Sequence, residues 1–161
     1  MLLVQLSVRA DQSVTLAWNP SVDTNIAGYK IYAGTASRDY SITNVVAPAT
    51  STTTTITGLV EGQTYYFAAT TYDGAGDESV FSAEATYTVP VTPATLGAPA
   101  QTGGQFSFSV TGVTGYQYVV QASTDLVNWV SLQTNAAPFT FVDMDAASFS
   151  QRYYRTYYLL Q

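Results

Sequence analysis

Thr64-Tyr-Tyr-Phe-Ala-Ala-Thr-Thr-Tyr72 is a nine-residue run with no charge, glycine or proline. A strand turns successive side chains to opposite faces, so Tyr65, Phe67 and Ala69 share one face and Tyr66, Ala68, Thr70 and Tyr72 the other. Gly28-Tyr-Lys-Ile-Tyr32 divides the same way, with Tyr29 and Ile31 inward and Lys30 and Tyr32 outward. Working outward, further strands are expected at 3–8, 14–18, 41–46, 52–56 and 81–88. Asn19-Pro20, Gly34, Pro48, Glu61-Gly62 and Asp73-Gly-Ala-Gly76 separate them as turn signals. No stretch carries the 3.6-residue period of an amphipathic helix. The fold class is therefore all-β. Short strands at this spacing predict a seven-stranded Greek-key sandwich over residues 1–90, with an apolar strand leading it.

Residues 89–104 hold three prolines and three glycines, and 91–104 reads as a semi-extended inter-domain linker. Five more strand candidates follow, at 106–111, 116–123, 129–133, 139–143 and 152–160. They predict a second, small five-stranded β-domain over 105–161, so that the chain holds two β-sandwich-like domains.

Composition removes whole classes of chemistry. The net charge is −6, and the only basic residues are Arg9, Lys30, Arg38, Arg152 and Arg155. Binding of nucleic acid needs clustered cations, which are missing, so no nucleic-acid partner is expected. Met1–Val8 is apolar but too short to span a bilayer, so no membrane span is expected. It has neither a basic leading region nor a small-residue cleavage site before Arg9, which argues against a signal peptide. Without Cys or His there is no thiolate or imidazole metal site, and no Ser–His or Cys–His nucleophile. No cofactor is expected.

The quoted strands resemble those of a fibronectin type III domain. Val14-Thr-Leu-Ala-Trp18 looks like the strand that carries its buried core Trp, and Gly28–Tyr32 like the strand that follows. Gly58-Leu-Val-Glu-Gly-Gln-Thr-Tyr65 is similar to the corner where Leu59 packs inward and Tyr65 hydrogen-bonds back to the chain. The resemblance implies the fold of residues 12–90 and no particular activity. Three pieces of the second half resemble a C-terminal β-repeat of secreted proteins from Verrucomicrobia-like bacteria. They are Tyr118-Val-Val-Gln-Ala-Ser-Thr-Asp-Leu-Val-Asn-Trp129, Pro138-Phe-Thr-Phe-Val-Asp143 and Gln151-Arg-Tyr-Tyr-Arg155. Here the chain runs on past that last motif with Thr156-Tyr-Tyr-Leu-Leu-Gln161.

Four features are candidates for function. Asp23, Asp73, Asp77 and Glu78 lie in two loops expected at one end of the sandwich and form a weak candidate Ca²⁺ site, which Asx-turns explain more cheaply. A glycosidase pair is not expected of them, because solvated loop acids lack the raised pKa a general acid needs. Ser123-Thr-Asp-Leu-Val-Asn-Trp129 resembles the Asp-box hairpin of sialidase-like proteins with its Trp one residue early, and Asp125 and Trp129 are expected to staple a turn. Tyr32, Tyr66 and Tyr72 form a candidate aromatic platform for a glycan or a protein partner, although cross-strand Tyr pairing accounts for isolated pairs.

The chain ends are the fourth feature. Leu2, Leu3, Val4 and Leu6 form a greasy leading strand without edge-protecting charge. Tyr153, Tyr154, Tyr157, Tyr158, Leu159 and Leu160 make the last strand apolar on both faces, which calls for cover on both. Copies of the same protein are the economical partner. The expectation is a non-catalytic bacterial extracellular or cell-surface protein, a structural or adhesive subunit that self-associates through these ends, in the extreme into a filament. A glycan or another cell-surface protein is the second candidate partner. The alternative is a carbohydrate-binding accessory module of a secreted polysaccharide-degrading enzyme. In neither case is the chain itself an enzyme.

Overall fold

In a computed structural model, which describes residues 2–4 and 12–159, the chain divides into two compact units, residues 1–90 and 91–161. The first has strands β1 (Leu2–Val4), β2 (Val14–Trp18), β3 (Ile26–Gly34), β4 (Ile42–Val46), β5 (Thr53–Ile56), β6 (Thr64–Asp73) and β7 (Ala85–Thr88). One antiparallel sheet runs β1-β2-β5 and the other β4-β3-β6-β7. Alternate residues of the two sheets fill the space between them: Val14, Leu16 and Trp18 against Tyr29, Ile31, Tyr65 and Phe67. Each large apolar side chain buried here stabilises by about 2 kcal/mol. Trp18 meets Tyr29 edge-on at 5.2 Å, and Tyr65 closes the corner by accepting from the Val60 N–H at 3.2 Å.

The second unit has β8 (Thr95–Leu96), β9 (Ala100–Thr102), β10 (Gln105–Thr111), β11 (Gln117–Ser123), β12 (Val130–Ala136), β13 (Phe139–Asp143) and β14 (Tyr153–Tyr158), with a 3₁₀ turn at Ala146–Ser148. Its sheets run β13-β10-β8, with β9 also on β10, and β12-β11-β14. Phe108, Val110 and Phe141 of one sheet pack with Tyr118, Val120 and Tyr154 of the other. The unit is a second sandwich, and the all-β, two-sandwich reading holds.

Two expectations are corrected. The segment 91–104 is not a linker, and the second domain has more than five strands. Thr95–Leu96 pairs with Val110–Thr111, and Ala100–Thr102 pairs with Gln105–Ser107. Gly103 and Gly104, both at positive φ (59° and 83°), form the two-residue turn of the β9–β10 hairpin. That turn favours Gly at both central positions because its backbone twist matches the strands'. Pro99 lies between the two short pieces β8 and β9, as edge positions tolerate.

Candidate functional site

The outer face of the β3–β6 sheet carries the largest set of interacting polar and aromatic side chains in the first unit. The segment 78–84, between β6 and β7, runs alongside β6. Ser79 and Ser82 donate their N–H groups to the carbonyls of Thr71 and Ala69 at 3.0 and 2.8 Å. Their hydroxyls accept from the N–H groups of the same two residues, each at 3.0 Å. Two serines three residues apart thus satisfy this stretch of β6 without a regular ladder. The intervening residues are thereby held over the outer face. Glu78 reaches Lys30, Tyr32 and Thr70, at 2.5, 2.6 and 2.7 Å. Phe81 packs edge-on against Tyr32 (5.0 Å) and tilted against Tyr40 (5.4 Å). Glu84 accepts from the Ser37 hydroxyl, the Arg38 N–H and the Tyr40 hydroxyl, at 2.7, 2.7 and 2.8 Å. Phe81 remains 52% exposed beside a cleft of about 540 Å³ lined with Ser37, Arg38, Tyr40 and Glu84.

The electrostatics of this face oppose acid–base catalysis. Hydrogen bonds from Lys30, then Tyr32 and Thr70, hold the Glu78 carboxyl down at about 2. Those from Ser37, Arg38 and Tyr40 lower Glu84. A general acid needs a carboxyl pushed the other way. The hydrogen bond to Glu78 raises Lys30 and Tyr32, and burial followed by the Glu84 bond pushes Tyr40 up to about 12. Every one of these groups stays in its ordinary charge state at neutral pH.

The aromatic platform is rearranged. Tyr32 lies opposite Ala68 and Tyr66 opposite Gly34, and the ring partners of Tyr32 are Tyr40 and Phe81. Tyr72 sits at Gly28, where a Cβ would meet its hydroxyl at 2.7 Å, with the Lys30 ammonium 5.8 Å above its ring. Ala68 and Thr70, expected on an open face, are buried. Tyr40 and Phe81 escaped the sequence reading because nothing in a strand pattern shows that an irregular segment folds over a sheet. The Ser-x-x-Ser spacing at 79–82 was the available signal.

The calcium candidates do not converge. Asp73 Oδ1 accepts from Ala75 and Asp77 N–H groups at 2.9 and 3.0 Å, and Asp23 Oδ1 from Asn25 N–H at 2.9 Å. Glu78 is held by Lys30, and among the described residues no three acidic groups gather. Asp125 takes the N–H groups of Val127 and Asn128 at 2.9 and 2.7 Å and the Asn128 amide at 2.7 Å, which depresses its pKa well below the usual carboxylate range. The Trp129 indole donates to the Leu126 carbonyl at 3.1 Å, and the Arg155 guanidinium stacks 4.1 Å over its ring.

Of the terminal residues, Leu2–Val4 pairs with Leu16–Trp18 inside its own sandwich. Leu6 and Leu160 lie outside the described residues. Tyr153–Tyr158 pairs with Tyr118–Ser123. Tyr153, Tyr157 and Leu159 are exposed, and Tyr154 and Tyr158 pack against the core. Beneath them Asp143, only 5% exposed, pairs with Arg152 at 2.6 Å and accepts from the Tyr154 hydroxyl at 2.8 Å.

Comparison with known proteins agrees with this architecture. A family model for the fibronectin type III domain matches residues 3–88. Chitinase A1 of Niallia circulans is 33% identical over 145 residues, 80% of this chain and 18% of the relative. Exoglucanase B and Endoglucanase B of Cellulomonas fimi are 33% and 36% identical over 98 and 114 residues. Those alignments cover 60% and 69% of this chain but 8% and 10% of the enzymes. The chain thus spans under a fifth of the length of these curated relatives. A two fibronectin type III domain segment from chicken tenascin superposes with a TM-score of 0.63 at 18% identity, covering 88% of this chain and 81% of that one. Among the described residues no helix is long and apolar enough to cross a membrane.

Proposed function

Because the chain belongs to the fibronectin type III family, a non-catalytic module, we propose that it is an accessory segment of an extracellular polysaccharide-degrading enzyme. The observation that carries this is the 145-residue similarity to Chitinase A1, which extends past the first sandwich into the second while covering 18% of that enzyme. Similarity to two glucanases supports the same reading, and supports it better than a filament subunit. The motif resemblance of the second half to repeats of secreted bacterial proteins points the same way. The proposed polymer contact is the outer face of the first unit. Phe81 offers an exposed ring, Tyr40 flanks it, and Tyr32 supports both from beneath. Aromatic faces beside hydroxyls and a carboxylate suit the apolar faces and hydroxyl rims of pyranose rings.

The test is depletion of the full chain from solution by insoluble chitin and by microcrystalline cellulose, with Phe81→Ala and Tyr40→Phe beside it. Phe81→Ala should lose most of the retention, and Tyr40→Phe should keep it. Equal retention of all three proteins would remove this face. No retention on either polymer would overturn the carbohydrate reading.

A further inference from the structure

The turn Ala36-Ser-Arg-Asp39 follows β3 and supplies one wall of the cleft beside Phe81. Asp39 donates its N–H to the Ala36 carbonyl at 3.2 Å, so Ser37 and Arg38 are the two central residues. Arg38 sits there at a φ of 60°. Where the second central position of a turn has positive φ, glycine or asparagine is the usual occupant, because a longer side chain crowds the backbone. An arginine there costs on the order of 1 kcal/mol and persists only where its surroundings fix it. Glu84 fixes it, by accepting from the Ser37 hydroxyl, the Arg38 N–H and the Tyr40 hydroxyl.

That clamp decides what the cleft has left to offer. The hydroxyl protons of Ser37 and Tyr40 are committed to Glu84, so their oxygens remain as acceptors. Glu84 Oε1 receives two donors and Oε2 only one, which leaves Oε2 a further lone pair. Glu84 draws on the backbone N–H of Arg38 and not on its guanidinium. Among the described residues that guanidinium has no ion pair or hydrogen bond, although Arg38 lines the cleft. Phe81 adds a ring that is half exposed. A cationic donor, an anionic acceptor and an apolar face therefore share one cleft, each with capacity to spare.

Resting on the carbohydrate reading above, we propose that this cleft takes the acetamido group of an N-acetylated amino sugar. The polymer contact then selects a chitin-like chain over a cellulose-like one. A secondary acetamide carries a carbonyl that accepts, an N–H that donates and a methyl group. The carbonyl suits Arg38, whose charge strengthens the bond, and the N–H suits the free lone pair of Glu84. The methyl group suits the Phe81 ring. A cellulose-like chain has a hydroxyl in place of the acetamide. That hydroxyl can meet the polar groups but brings nothing to the ring. An acidic sugar would suit Arg38 alone, and would meet both the Glu84 carboxylate and a chain of net charge −6.

Adsorption isotherms of the full chain on chitin and on microcrystalline cellulose test this, read as the ratio of the two affinities. Glycine adopts a φ of 60° without strain. Arg38→Gly therefore removes the guanidinium and keeps the turn, which circular dichroism confirms. It should weaken adsorption to chitin about tenfold, and lower the chitin-to-cellulose ratio by a similar factor, as the loss of one charge-assisted hydrogen bond requires. A residue that merely shapes the turn would move both polymers together. An unchanged ratio in Arg38→Gly, or a wild-type chain that prefers cellulose, would overturn the acetamido assignment and leave the carbohydrate reading standing. Adsorption to neither polymer would overturn that reading and this inference with it.

Discussion

The two sandwiches bury comparable aromatic cores but treat their charges in opposite ways. In the first unit Lys30 and Glu78 pair on the surface, with side chains 27% and 29% exposed. Water screens them, and their stability value is small. In the second unit Arg152 and Asp143 are 13% and 5% exposed, and the Tyr154 hydroxyl and the Asp145 N–H also bind the carboxylate. Arg152 stacks besides on Phe149 at 4.2 Å. A buried pair of this kind adds little over a hydrophobic replacement, yet losing one member leaves the other charged, dry and unpaired. The difference teaches where each unit breaks. The first is held by its hydrophobic interior with a polar decoration, and the second has an ionic network built into its packing.

The largest expected effect follows from that contrast. Asp143→Ala should destabilise the second unit by about 3 kcal/mol, because Arg152 loses its counter-charge and Tyr154 its acceptor. Lys30→Met in the first unit should cost far less, because water already screens that surface pair. Each unit contains one of the two tryptophans, Trp18 and Trp129, so urea unfolding of the Trp18→Phe and Trp129→Phe backgrounds reads the units separately. Similar costs for the two substitutions would erase the distinction.

Much of this architecture was legible from period-two patterning. The runs 14–18, 28–33, 64–72 and 118–123 place their large residues on a consistent face, and a half-buried sheet needs nothing more subtle. The Asp125 turn was readable for a related reason, since the side chain and the N–H groups it binds lie within three residues. What failed was long-range or irregular. At Gly103-Gly104 composition cannot separate a semi-extended linker from a tight hairpin. Residues 78–84 were expected to lead into a regular strand, and in fact fold Phe81 over Tyr32 and Tyr40. Asp143 went unnoticed for a different reason. Its ionic partner Arg152 and its hydroxyl donor Tyr154 lie 9 and 11 residues away, just before and within β14, and no local spacing announces them.

A smaller effect should appear in alkali. Burial, and then the hydrogen bond to Asp143, push the Tyr154 hydroxyl up to about 12. An acid whose folded pKa lies above its unfolded value of 10 favours the fold while it stays protonated. Its contribution is whole below pH 10 and is lost as the pH rises through 12. Tyrosinate absorbance at 295 nm should therefore show Tyr154 ionising late, and Tyr154→Phe should shrink the loss of second-unit stability between pH 10 and 12. In the first unit Tyr40 should behave alike, since burial and Glu84 raise it to about 12 as well. A common early titration of every tyrosine would break the account of both sites.

The smallest effect, and the sharpest test of the contrast, belongs to Glu78. Three donors lower its pKa from 4.5 to about 2, so the folded chain binds its proton less readily than the unfolded chain. The sign follows directly: the contribution is complete above pH 4.5 and disappears as the pH falls through 2. Glu78→Gln keeps acceptor capacity for Tyr32 and Thr70 but carries no charge and takes up no proton. Its first unit should be slightly weaker than wild type at pH 7 and should converge with it at pH 2, when both are followed through Trp18. The second unit should unfold identically in the two proteins. A gap that persists at pH 2 would mean that Glu78 acts through the packing of segment 78–84 over β6 and not through its charge. The surface pair would then belong with the built-in network of the second unit.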